Sequence, residues 1–113
     1  MAGDEVIEGY LKLADAIHLE GSNAIAQISH AGFEAKVENP FNVNAMTLDD
    51  IAHVRESFIK AALRTEKAGF DGVEIHCAHG YQLNQFYTPY TNKRTDDYGG
   101  SLLNRARLTN EII

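Results

Sequence analysis

His76, His79 and Tyr81 are the residues of this chain best suited to chemistry. They form a His-x-x-His-x-Tyr pattern directly after the short apolar run Val73-Glu74-Ile75. Two imidazole N–H groups aimed at one point can hydrogen-bond a carbonyl oxygen and stabilise negative charge developing there. A tyrosine hydroxyl alongside can deliver a proton as a general acid. The pattern therefore points to an enzyme that polarises a carbonyl group. A metal site built from His76 and His79 with Cys77 and His30 is the competing reading. It is disfavoured because the pair lies past a strand on a turn and no carboxylate motif accompanies it. Gln27 is a second candidate, since it interrupts the apolar run Ala24–Ile28 near its carboxyl end. It is either a core glutamine with a satisfied partner or an amide reading a planar heterocycle through its donor and acceptor together. Composition alone does not separate these two.

The elements that must position these residues alternate in type. Val6, Ile7, Tyr10, Leu11, Ala14 and Ile17 recur at helical spacing, with Gly21 placed to end the helix in a left-handed conformation. Ala24–Ile28 reads as a short strand buried on both faces of a parallel sheet. A loop rich in Gly, Asn and Pro follows, and Thr47 with Asp50 forms a capping box for the next helix. That helix buries Ile51, Val54, Phe58 and Ala61/Ala62, and Gly69 closes it. His53 falls on its solvated stripe, and His18, in the last turn of the first helix, suits the negative end of that helix dipole. Gly72–His76 is the second strand, followed by a long connection. Ser101 then caps a last helix carrying Leu102, Leu103, Ala106 and Ile113. The order α, β, α, β, α makes the chain α/β, built on a strand–helix–strand unit. In such folds, ligands bind at the carboxyl ends of the strands, where His76 lies.

Composition sets the outer limits. The chain has 113 residues, 44% of them hydrophobic and 23% charged, and one cysteine. One cysteine excludes an internal disulfide and suits a reducing cytoplasm. No apolar run approaches the roughly 20 residues of a membrane span, and the acidic N-terminus is not a secretory signal. The net charge of −6 argues against nucleic-acid binding. The acids gather early: residues 1–50 carry a net of −7 and residues 51–113 a net of +1. Lys93, Arg94, Arg105 and Arg107 sit among acids and read as structural ion-pair partners.

The run GVEIHCAHGYQLNQFYTPYTNKRTDDYGGSLLNRAR, from Gly72 to Arg107, resembles the signature of the old yellow enzyme family of FMN-dependent NAD(P)H oxidoreductases. AIAQISHAG resembles the family's preceding strand and loop, and AMTLDDIAHV its next helix start. The Asn-x-Arg-x-Asp-x-Tyr-Gly-Gly-Ser spacing from Asn92 is the most specific part.

The resemblance implies a (β/α)8 TIM barrel, with this chain similar to the region around the third and fourth strands and their helices. Such barrels run to roughly 250 residues, so residues 1–113 are expected to be a partial domain, incomplete at both ends. The implied activity is reduction of activated C=C bonds in α,β-unsaturated carbonyl compounds, with FMN as cofactor and NAD(P)H as electron donor. Gln27 would hydrogen-bond the flavin pyrimidine edge. His76 and His79 would bind the substrate carbonyl oxygen, and Tyr81 would protonate the α-carbon. Asn92, Arg94, Asp96, Tyr98 and Asn104 look like the family's structural brace. Phe33, Cys77, Gln82 and Leu103 depart from the usual arginine, glycine, leucine and glutamate. The expected partner is a small-molecule substrate. One alternative is an iron–sulfur-containing relative of dienoyl-CoA reductase or amine dehydrogenase type. The other is a truncated piece without activity.

Overall fold

The computed structural model describes residues 3–113. After a 3-10 turn at Asp4–Val6 come helix α1 (Ile7–Leu19), strand β1 (Ile25–Ile28), helix α2 (Leu48–Lys67) and strand β2 (Gly72–Ile75). Helices α3 (Gln82–Tyr87) and α4 (Leu102–Ile112) follow. The chain divides into two units, Met1–Ile28 with Ser57–Ile75, and Ser29–Glu56 with His76–Ile113. Helix α2 contributes residues to both.

The first unit holds α1, the parallel pair β1 and β2, and the C-terminal part of α2. β1 and β2 pair in register from Ile25 opposite Gly72 to Ile28 opposite Ile75, the parallel strand–helix–strand unit that the alternation predicts. Each helix end is closed by a glycine in the left-handed region, where a side chain would be strained. Gly21 has φ 74° and Gly69 φ 76°. Behind them, Ser22 N–H reaches Ile17 C=O and Phe70 N–H reaches Thr65 C=O. Asp71 ties the loop before β1 to the loop before β2. Its Oδ2 accepts from Ala24 N–H and bonds His18 Nε2, both at 2.7 Å. His18 thus has a carboxylate partner 53 residues away in sequence as well as its place at a helix end.

Two expectations for this unit need correction. In α1 only Ala14 is buried, and Tyr10 and Leu11 are exposed. β1 is not covered on both faces: Ile28 is buried, but Ile25 is 56% exposed. Among the described residues the sheet has two strands, and a sheet face is buried only where another element packs over it. The buried residues are Ala14, Ala24, Ile28, Phe58, Ala61, Thr65 and Ala68.

The second unit begins with loops and the N-terminal part of α2. Thr47 and Asp50 form the reciprocal cap: Thr47 N–H donates to Asp50 Oδ2 at 2.8 Å, and Asp50 N–H to Thr47 Oγ1 at 3.1 Å. The Thr47 N–H, and then the Thr47 hydroxyl that also donates to Oδ2 at 2.8 Å, hold the Asp50 carboxyl below its ordinary range. Ile51 and Val54 are buried as the stripe requires. The long connection after β2 contains α3, a short helix whose Leu83 and Phe86 are buried and which packs on α4. Ser101 Oγ caps α4 by accepting Asn104 N–H at 3.2 Å. The buried residue of α4 is Leu108, whereas Leu102, Leu103 and Ile113 are exposed. Among the described residues, no helix is long and apolar enough to cross a membrane.

Candidate active site

His76 is the first residue past β2, where the ladder ends and the chain is free to turn. The turn runs through His79 at φ 57° and Gly80 at φ 77°, two consecutive left-handed residues. Tyr81 is extended again and sits at the N-cap of α3. This reversal folds three side chains together. The His76 ring lies 5.5 Å from that of His79 and 5.3 Å from that of Tyr81, centroid to centroid. His76 is half-buried, and His79 and Tyr81 are exposed, so the cluster is open to solvent.

The orientation of His76 is chemically defined. Its Nδ1 accepts the Ala78 N–H at 3.1 Å. A neutral imidazole accepting at one nitrogen carries its proton on the other. Nε2 is therefore the nitrogen of His76 left to carry the N–H. Cys77, between the two histidines, is exposed. Partial burial of its sulfur nevertheless raises the thiol pKa, with the Thr109 hydroxyl opposing that shift. A raised pKa disfavours the thiolate that a nucleophile needs.

His30, the fourth member of the metal alternative, is used locally. Its Nδ1 accepts Gly32 N–H at 3.0 Å, and its ring lies 5.5 Å from that of Phe41. Burial, and then the charge on His53, lower its pKa and favour the neutral ring this hydrogen bond requires. No group of three or more His, Cys, Asp or Glu able to hold a metal occurs among the described residues.

Gln27 belongs to the first unit, opposite Glu74 in the strand register. It is exposed and so is not a buried core glutamine. Its carboxamide can offer an N–H donor and a C=O acceptor side by side, the pair a heterocyclic imide edge requires. To that extent the residue present fits a flavin pyrimidine ring.

A polar frame surrounds α3. Asn92 is 4% exposed. Its Nδ2 donates to Phe86 C=O and Tyr98 C=O, both at 2.7 Å, and its Oδ1 accepts Arg94 N–H at 3.0 Å. Arg94 Nη1 donates to Val43 C=O at 2.6 Å and Met46 C=O at 2.7 Å. The other side of its guanidinium grips Asp96 at 3.0 and 2.5 Å, which holds that carboxyl below its ordinary range. The remaining basic residues reach chiefly for carbonyls. Lys93 bonds Pro89, Arg105 bonds Tyr87 and Gly100, and Arg107 bonds Asp97. The expected network of ion pairs is thus mainly a set of charge-assisted bonds to backbone, with Arg94–Asp96 as its ion pair. Tyr98 and Arg55 share Glu111, and Arg107 Nη2 bonds Asn104 Oδ1. Asn44 is a member that sequence reading misses: its side chain bonds Thr91 C=O and Lys93 N–H. Its place in an Asn- and Pro-containing loop marks only a turn.

The profile of the NADH:flavin oxidoreductase / NADH oxidase family matches residues 39–113. The chain is 45% identical to an NADPH dehydrogenase of Halalkalibacterium halodurans, over 97% of this chain and 36% of that protein. Among solved structures, an old yellow enzyme from Pichia sp. AKU4542 superimposes with a TM-score of 0.86 at 34% identity, covering 94% of this chain and 35% of that one. Histamine dehydrogenase from Rhizobium sp. 4-9 superimposes with a TM-score of 0.91 at 32% identity, covering 97% and 20%. The chain spans about a third of the length of the curated relatives it matches.

Proposed function

The chain belongs to the NADH:flavin oxidoreductase / NADH oxidase family, and on that premise we propose that it carries the carbonyl-binding residues of an FMN-dependent NAD(P)H oxidoreductase. The proposed substrates are α,β-unsaturated carbonyl compounds, and the reaction is reduction of their C=C bond. In this reading the chain forms part of a (β/α)8 barrel, around its third and fourth strands. Support comes chiefly from the ring cluster, in which His76 carries its N–H on Nε2 beside His79 and Tyr81.

When bound, FMN would supply the hydride chemistry between NAD(P)H and the substrate C=C bond. Gln27 would hold the flavin pyrimidine edge through its carboxamide. His76 Nε2–H, with a second N–H from His79, meets the carbonyl oxygen, and both bonds strengthen as enolate charge builds there. That bias toward the charged state accelerates the step, because ground-state binding alone would not. Tyr81 O–H then gives its proton to the α-carbon.

The test is a chimera in which this chain replaces the matching segment of the Halalkalibacterium halodurans enzyme. NADPH-dependent reduction of a cyclic enone is followed with His76→Ala and His79→Ala combined. Loss of two oxyanion donors should lower kcat/KM by at least about a hundredfold; an unchanged value contradicts the assignment. A second reading, an amine dehydrogenase-like activity, is favoured by the likeness to histamine dehydrogenase. Amine oxidation without enone reduction by the same chimera would select it.

A further inference from the structure

The turn that carries His79 needs an external hold, because a left-handed histidine persists only where its surroundings over-determine it. The Gly80 backbone next to it is gripped on both sides of its Cα by side chains of α3. Its N–H donates to Asn84 Oδ1 at 3.1 Å, and its C=O accepts from Gln85 Nε2 at 2.5 Å. Gln85 is fully buried and does more than this. The same Nε2 donates to Ala31 C=O, and its Oε1 accepts Phe33 N–H, both at 3.3 Å. One carboxamide therefore joins the His79–Gly80 turn to the loop that follows β1.

That loop approaches so closely only because residue 32 is glycine. Gly32 has φ 63°, and a Cβ there would collide with the carboxamides of Gln85 and Gln82. Gln82 provides an internal contrast. It lies on the same short helix, equally buried, but its Nε2 meets only Met46 Sδ, and its Oε1 has no partner among the described residues. Two buried glutamines three positions apart thus have different work.

We infer that Gln85 is a positioning residue: it locks the His79–Gly80 turn to the 31–33 loop and so keeps the His79 ring beside that of His76. The inference rests on the proposed role of His79 in binding the carbonyl oxygen. It predicts that the ring pair and the 31–33 loop shift together when the carboxamide is removed.

The experiment compares Gln85→Met with Gln82→Met, the same change at the same burial, in the full chain. The readouts are the nuclear Overhauser contact between the His76 and His79 rings and the thermal unfolding curve. Gln85→Met should lose the ring contact at a temperature where the chain is still folded, and Gln82→Met should keep it. In the chimera, Gln85→Met should lower kcat by about a hundredfold, as a misplacement of about 1 Å does, with a smaller change in KM. If Gln85→Met does not fold, Gln85→Asn, which keeps a carboxamide but is one methylene too short to hold Gly80 C=O and Phe33 N–H together, decides the matter. Retention of the ring contact in the folded Gln85→Met protein, or in Gln85→Asn where that is the deciding variant, overturns the inference. Equal loss in Gln82→Met overturns it too. Loss of the contact with unchanged turnover leaves the positioning intact and instead contradicts the role of the histidines.

Discussion

The two units of this chain are held by different kinds of force. In Met1–Ile28 with Ser57–Ile75, the buried set is apolar apart from Thr65, and the long-range polar ties include those of Asp71 with His18 and Ala24 and of Arg64 with Asp4. In Ser29–Glu56 with His76–Ile113, buried Gln82, Gln85 and Asn92 accompany the apolar residues, and arginines bond backbone carbonyls along the whole connection. The first kind of unit suits regular elements, which satisfy their own backbone. The second suits a long irregular segment, whose carbonyls need partners that secondary structure does not supply. The candidate catalytic rings stand in the second kind. A turn fixed by side chain–backbone bonds can hold a left-handed histidine in a way that a helix or strand cannot.

The difference predicts opposite sensitivities. The largest effect should come from Phe58→Ala in the first unit, where the ring is 4% exposed. Truncating a buried phenylalanine costs about 4 kcal/mol, read as a lower urea midpoint at constant slope. A cost below about 1 kcal/mol would mean that the first unit does not depend on its apolar core. Arg94→Lys tests the second unit and should cost less, about 2 kcal/mol. It keeps the charge but loses the planar fork that bonds Val43, Met46 and Asp96 together. If lysine is tolerated without loss, charge alone suffices, and the contrast between the units collapses.

The same contrast explains what could be read from the residues alone. Helix α2 was legible to its ends, because Ile51, Val54, Phe58 and Ala61 repeat at the helical period and Thr47, Asp50 and Gly69 mark its limits. The parallel pairing of β1 and β2 followed from the alternation of elements. The exposure of Ile25 and Tyr10 did not follow, since an apolar pattern shows which face can be buried and not what covers it. In the second unit, His76, His79 and Tyr81 could be grouped by spacing, and the rings do lie together. Helix α3 is not legible because it has six residues and buries Gln82 and Gln85 beside Leu83 and Phe86, so one apolar pair is all that marks it. The carbonyl partners of Arg94, Arg105 and Arg107 were also hidden, because a bond from side chain to backbone leaves no mark on the residue that accepts it.

The central claim is that the second unit holds His76 with its proton on Nε2, ready to bond a developing oxyanion. Nitrogen NMR of the histidine-labelled chain, at a pH where the rings are neutral, tests it directly. The account predicts that the His76 proton resides on Nε2, with Nδ1 accepting the Ala78 N–H. A proton on Nδ1 would contradict it, because Nε2 would then carry a lone pair in place of the N–H.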